Sequence, residues 1–445
     1  MLLDKVIRRF HLSPAKANII KNVSWAVLGK VVTLLSTLLV GIFVARYLGP
    51  DQYGLMNYII SLVALFTVFA TFGTSEIIVR ELAKKELPKE VILGSAFAMR
   101  VGLSVLAFLA VVIYLFVSDE TAETAVMVLI YASSIFLSSF DVIRFYFTSI
   151  VNNEYVVKSE IFRTIIGTFI KIILLLLKAP LIAFVIALAF DFFLLASGYM
   201  MAYQKKVDFI RKWNVNISFI KKLLSTSFPL LISGAAAIVY QRIDQVMIGK
   251  MLDNEAVGFF STAASFVSIV TFIPTIMVQT TAPILVNYWK NDKARYEKVS
   301  QQIMNLTTWG TFIICAIISA LSYPIIRYTY GIEYLSAIPI LQILVFKAVG
   351  VALITIGGQL TIIENIHKWA FIRNILSCVV CVACNYYLIP RWGVIGSAWA
   401  TIITVFFTGS LSNIFIPQYF HILRKQCKAL FIGYLDLFRL KIKYN

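Results

Sequence analysis

Apolar residues in this chain come in long unbroken blocks, not in the three-to-four-residue rhythm of a helix lying on a soluble core. About twelve such blocks can be drawn, near 23–45, 53–75, 91–117, 124–147, 160–178, 180–202, 223–249, 255–287, 302–323, 337–363, 369–390 and 394–420. At 1.5 Å per residue, about 20 residues of helix cross the roughly 30 Å of bilayer hydrocarbon. The blocks therefore predict an all-α integral membrane protein of about twelve transmembrane helices. The eighth block carries Pro274 and Pro283 and is long enough to kink or to run beyond the bilayer. Membrane-spanning sheets would need alternating segments of about ten residues, and none is visible.

Composition agrees: 60% of the 445 residues are hydrophobic and only 14% are charged. Soluble domains carry roughly 25% charged residues. The net charge of +18 could suggest nucleic acid, but its placement argues against that partner. Thirty lysines and arginines fall in the two termini and the alternate connections between blocks. The intervening loops hold only Arg46, Lys178, Lys250, Arg327 and Arg391. Basic loops mark the cytoplasmic side, so both termini are expected there and the helix count is even. The opening "MLLDKVIRRFHLSPAKANIIKN" reads as a basic lead-in, interfacial in character, with no cleavable signal. The loops on the other side are too short to house a catalytic domain, and an enzyme is not expected.

The longest internal connection, "QKKVDFIRKWNVNISFIKK" at 204–222, divides the chain into two runs of six helices. The organisation expected is a first lobe over 1–203, a basic linker over 204–222, a second lobe over 223–420 and a basic tail over 421–445. Each half enters from the same side, as in transporters built from parallel repeats. Short stretches recur between the halves. "ARYLGPDQYGLMNY" (45–58) and "GKMLDNEAVGFFST" (249–262) align on Gly54 and Gly258, each joining the first two helices of its half. "SIVNNEYVVKS" (149–159) likewise corresponds to "TIIENIHKWAF" (361–371).

Taken together with "QRIDQVMIGKMLDNEAVGFFSTA" (241–263) and "NYYLIPRWGVIGSAWAT" (385–401), these stretches resemble the polysaccharide transporter family. That family comprises flippases for lipid-linked oligosaccharides, in the superfamily that also holds multidrug and toxin exporters and lipid II flippases. The resemblance implies two six-helix lobes forming a V-shaped cleft, with the first, second, seventh and eighth helices bordering it. It also implies an undecaprenyl-diphosphate-linked repeat unit of O-antigen or capsule as cargo, flipped across a bacterial inner membrane by alternating access. Membrane lipids and a polysaccharide polymerase are the partners implied, and a monomer is expected. The rivals are a multidrug exporter of the same superfamily, a lipid II flippase, and a surface-polysaccharide polymerase or ligase. An exporter of cations should favour a carboxylate-rich cavity, and polymerases need a large outer loop.

An ionisable side chain near the bilayer centre costs roughly 2.5–3.5 kcal/mol, so it normally faces a cavity or a partner. Five cations interrupt the blocks: Lys30, Arg100, Lys171, Arg242 and Lys347. They form the candidate binding set for an anionic headgroup, since Arg and Lys offset phosphate dehydration. Asp141, Asp191 and Asp244 are the candidates for coupling transport to protons or sodium. Lys30 shares a polar stripe with Thr33 and Thr37, and either lines a cavity or snorkels to the surface. Lys171 and Asp191, at similar depth on consecutive helices, form either a structural ion pair or a proton-linked carboxylate. Ser233, Tyr240 and Asp244 share one helix face. Arg242 points elsewhere, and either it or Asp244 stands beside the path or in a structural pair. Lys347 has no acidic residue within a turn and suits an anion.

No metal or cofactor is expected. "CVVCVAC" spaces Cys378, Cys381 and Cys384 like thiolate ligands but lies inside an apolar block, where small buried side chains are the simpler reading. His11, His367 and His421 do not cluster, and Gly357-Gly358 lacks a nucleotide-loop context.

Overall fold

The computed structural model describes residues 14–366 and 369–435, with the side chains of 14–28 and Val31 left aside. The described residues are helical throughout, with no strand. Among the described residues, nine helices are long and apolar enough to cross a membrane. Two of them are hairpins. Helix α1 (Pro14–Thr71) breaks at Gly49, whose φ is 73°, directly before Pro50. Lys30 and Glu76 nevertheless line one cavity, although a straight helix would hold them about 69 Å apart. A second hairpin turns at Gly393, φ 56°. There Thr408 bonds Ser377 at 2.6 Å, 31 residues away, which no straight helix allows. The twelve expected helices are thus not matched one for one. Glu154–Leu176 is 23 residues long, but Glu160, Arg163 and Lys171 keep it from qualifying by composition.

The remaining helices in chain order are α2 (Ser75–Lys84), α3 (Lys89–Val117), α4 (Ala122–Ala132), α5 (Ser134–Leu137), α6 (Asp141–Ser149), α7 (Glu154–Leu176), α8 (Leu181–Lys206) and α9 (Ile217–Met251). They continue as α10 (Asn254–Asn291), α11 (Lys293–Ala320), α12 (Ser322–Thr329), α13 (Ala337–Leu344), α14 (Lys347–Ile363), α15 (Ala370–Gly409) and α16 (Phe420–Ile432). The eighth apolar block becomes α10, 38 residues long with both prolines inside it. Large apolar side chains such as Phe116, Leu176 and Leu177 stand more than 70% exposed, as expected where the surrounding solvent is hydrocarbon.

The chain divides into two compact units, one of 1–44 with 63–231, the other of 45–62 with 232–445. In the first, Ile78, Ile92, Leu93, Val142, Phe147 and Tyr203 build a core where α2, α3, α6 and α8 meet. In the second, Tyr296, Met304, Leu360, Ile422 and Ala429 pack α11, α14 and α16 together.

The assignment of 45–62 to the second unit explains the repeated stretches. A Cβ added to Gly54 would overlap the carbonyl of Asn254 and the amide of Gly258, and one on Gly258 would overlap the carbonyl of Pro50. The two copies pack backbone against backbone, and only glycine permits that approach. Tyr334 Oη donates to the carbonyl of Ala45 at 2.7 Å, and Ser61 bonds Gln245, fastening the same segment.

Candidate functional site

Each unit encloses a polar cavity. In the second unit, α9 and the first arm of α15 face each other in constant register. Asn374 donates to Ser233 Oγ at 3.0 Å, Cys381 approaches the carbonyl of Tyr240, and Asn385 donates to Asp244 at 2.7 Å. Each pair is 141 residues apart, so the shared face of Ser233, Tyr240 and Asp244 lies along one helix pair. The second arm of α15 completes the cluster. Thr401 Oγ1 donates to the other carboxylate oxygen of Asp244 at 2.8 Å, and Ser397 Oγ donates to Asn385 at 2.7 Å. Asp244 is only 2% exposed. A buried carboxylate held by neutral donors is a site that a cation can occupy or a proton can neutralise.

Asp244 also borders a cavity of about 420 Å³ shared with Tyr240, Arg242, Gln245, Thr271 and Lys347. The spacing places Arg242 and Asp244 on different faces of α9, and the cavity is wide enough to be bordered by both. Lys347 begins α14, and its charge acts on Asp244. One carboxylate thus shares this space with two cations. A third cation, Arg373, lies near Tyr240, and its Nε is buried with no hydrogen-bond partner among the described residues. The charge pattern reads Arg373 as part of a basic connection, because it lies only a few residues into its block.

The first unit holds a cavity of about 720 Å³. Lys30 and Thr33 stand on its wall, with Glu76, Asp141, Arg144, Glu160 and Arg163 around them. Its charges are balanced, three basic against three acidic. Arg100 is 1% exposed, donates to the carbonyl of Ser138 at 3.2 Å and lies 3.9 Å from Asp141. Its Nε and Nη1 find no partner among the described residues. Lys171 and Asp191 meet at 2.6 Å between α7 and α8, where Gly167 leaves room for the carboxylate.

Of the five cations, Arg100 and Lys171 therefore stand beside carboxylates, Lys347 faces Asp244, and Lys30 and Arg242 line cavities without an ion pair among the described residues. The three predicted acids each have a basic neighbour, and only Asp244 has a full set of neutral donors. Asn385 and Thr401 carry no charge to flag them in an apolar block, so the sequence does not announce them. Among the described residues no group of metal-ligating side chains occurs, and the Cys381 thiol donates to Asp244 at 3.5 Å. His11 and His367 lie outside the described residues. His421 bonds Glu364, which also accepts from Tyr296 Oη at 2.7 Å.

A family model described as "Polysaccharide biosynthesis protein" matches residues 19–289. The capsular polysaccharide biosynthesis protein CapF of Staphylococcus aureus is 21% identical over 399 residues, 87% of this chain and 96% of CapF. The lipid II flippase MurJ, solved in an inward closed conformation, superposes with a TM-score of 0.64 at 16% identity, covering 94% of this chain and 93% of MurJ. An inward-facing multidrug resistance transporter of the MATE family gives a TM-score of 0.65 at 14% identity, covering 93% and 96%. The fold is thus the two-lobed one of those transporters. The chain is a multi-pass membrane protein and belongs to the polysaccharide biosynthesis protein family.

Proposed function

We propose that the protein is a flippase for a lipid-linked polysaccharide precursor. The cargo is an oligosaccharide repeat unit of O-antigen or capsule on undecaprenyl diphosphate. The membrane is the bacterial inner membrane, with both termini in the cytoplasm. Family membership supports the polysaccharide connection, and the structures sharing the fold are a flippase and a drug transporter, not enzymes.

The observation that carries the reading is the cation-bearing space inside a chain that is otherwise built for lipid. Arg242 and Lys347 outnumber Asp244 around the second unit's cavity, and Lys30 lines the first unit's cavity with no ion pair among the described residues. A diphosphate gives up hydration on entering such a space, and fixed cations replace it. The prenyl tail stays in hydrocarbon while sugars and phosphates cross by alternating access of the two units. Asp244 is the group best built for coupling to a sodium or proton gradient, because its donors hold it in place whether or not a cation is bound.

The multidrug reading draws on one feature, the balance of acids and bases in the first cavity. The test is a deletion strain complemented with Lys30→Gln, Arg242→Gln and Lys347→Gln, scored for surface glycan. Loss of glycan with normal protein level is the expected result. Wild-type glycan from all three refutes the cationic site. Restored efflux of cationic dyes with no glycan phenotype favours the exporter.

A further inference from the structure

The closing helix α16 builds a second basic recess, away from both cavities described above. It packs along the first half and middle of α11, where Gln301 donates to the carbonyl of Lys425 at 3.0 Å and Trp309 donates to that of Ala429 at 2.8 Å. Ile422, Gln426 and Ala429 face inward and are buried. Between the helices lies a space of about 810 Å³ bordered by Lys298, Arg424, Lys425, Lys428, Ile432 and Leu435.

The acids nearby are already engaged. Glu297 pairs with Lys425 at 2.8 Å, and Glu364 binds His421. That leaves Lys298, Arg424 and Lys428 converging on one recess with no carboxylate partner among the described residues. Beside them, Phe431 and Ile432 present apolar surface, 77% and 51% exposed. Cations next to exposed apolar groups, beside the membrane-length helix α11, match a ligand that is anionic at one end and apolar at the other.

We propose that this recess binds the headgroup of an anionic phospholipid, its phosphate on Lys298, Arg424 and Lys428 and its chains along the exposed end of α16. Each such cation contributes enough attraction for roughly a fivefold change in affinity.

Native mass spectrometry of the full chain, released from nanodiscs of equal phosphatidylglycerol and phosphatidylcholine, tests this. The wild type should retain phosphatidylglycerol selectively. The triple variant Lys298→Gln, Arg424→Gln, Lys428→Gln should weaken that retention at least about tenfold while staying monodisperse. Lys205→Gln with Lys206→Gln, a basic pair elsewhere, should leave it unchanged. Equal retention of both lipids, or a triple variant that behaves as wild type, overturns the proposal. Displacement of the lipid by millimolar inorganic phosphate overturns it too, in favour of a soluble phosphate ligand. The readout is binding, so it stands or falls separately from the transport reading.

Discussion

The two units solve the same problem with opposite signs. In each, the fourth helix of the half is interrupted midway, and a charged residue opens the new segment. In the first unit the break falls at Ser138–Phe140 and Asp141 begins α6; in the second it falls at Val345–Phe346 and Lys347 begins α14. The partner is reversed as well: Arg100 approaches Asp141, whereas Asp244 attends Lys347. A helix start carries partial positive charge, so Asp141 is favoured where it stands and Lys347 is not. Both units thus break a helix just before a charged residue, and the sign of that charge is inverted. The lesson is that the second unit holds its cation only because Asp244, or an anion, stands near.

The largest effect should come from breaking that dependence. Asp244→Leu removes an acceptor shared by Asn385 and Thr401 and leaves Lys347 and Arg242 with no acid on their cavity wall, a loss of about 3–5 kcal/mol. Its thermal midpoint in detergent should drop far below wild type. Exchanging the charges, Asp244→Lys with Lys347→Asp, should recover part of the loss, because the acid then sits at the helix start as in the first unit. A double variant no better than either single would refute the inversion.

Next comes the crossing of the two repeated stretches. Gly258→Ala drives a methyl into the carbonyl of Pro50 and should cost about 1–3 kcal/mol, read as a lower melting midpoint. Gly234→Ala, where added atoms meet nothing, is the matched control. In the first unit, Asp141→Asn should cost only about 1 kcal/mol, since its carboxylate is partly exposed and 3.9 Å from Arg100. Equal losses for Asp141→Asn and Asp244→Asn would erase the contrast between the units.

The smallest effect is a pH dependence found in the second unit's closing helix. The hydrogen bond to Glu364 raises the His421 pKa above its ordinary value. Burial pushes the Glu364 carboxyl up, but hydrogen bonds from His421 and Tyr296 outweigh it and hold the group below the usual range. The sign follows from both. The histidine's contribution is full below its ordinary pKa and fades as pH rises through the raised one. The carboxylate's contribution is full above its ordinary pKa and fades as pH falls through the lowered one. Docking of α16 should be tightest at mildly acidic pH, by less than about 1 kcal/mol given the exposed imidazole. Amide exchange in 420–432 measured across that range should show the maximum, and His421→Ala should flatten its alkaline side.

The overall plan was legible because the bilayer imposes it: helix length, basic connections and apolar blocks all follow from one solvent. The repeated stretches were legible too, although the sequence could not say that Gly54 and Gly258 touch. What stayed hidden depends on which helices become neighbours. Asn385 and Thr401 are ordinary polar residues until the hairpin at Gly393 folds them onto Asp244. The break before Asp141 had a signal in Ser133, Ser134, Ser138 and Ser139, whose hydroxyls can compete for backbone carbonyls. The break before Lys347 has no such mark in "LVFK".

The packing of residues 45–62 within the second unit means that the later half of the polypeptide is incomplete by itself. A chain severed within 204–222 should yield pieces that must find each other, because the later piece lacks the segment that covers Asn254 and Gly258. Co-expressed fragments would then restore that cover, while the later fragment made alone would be cleared by proteolysis.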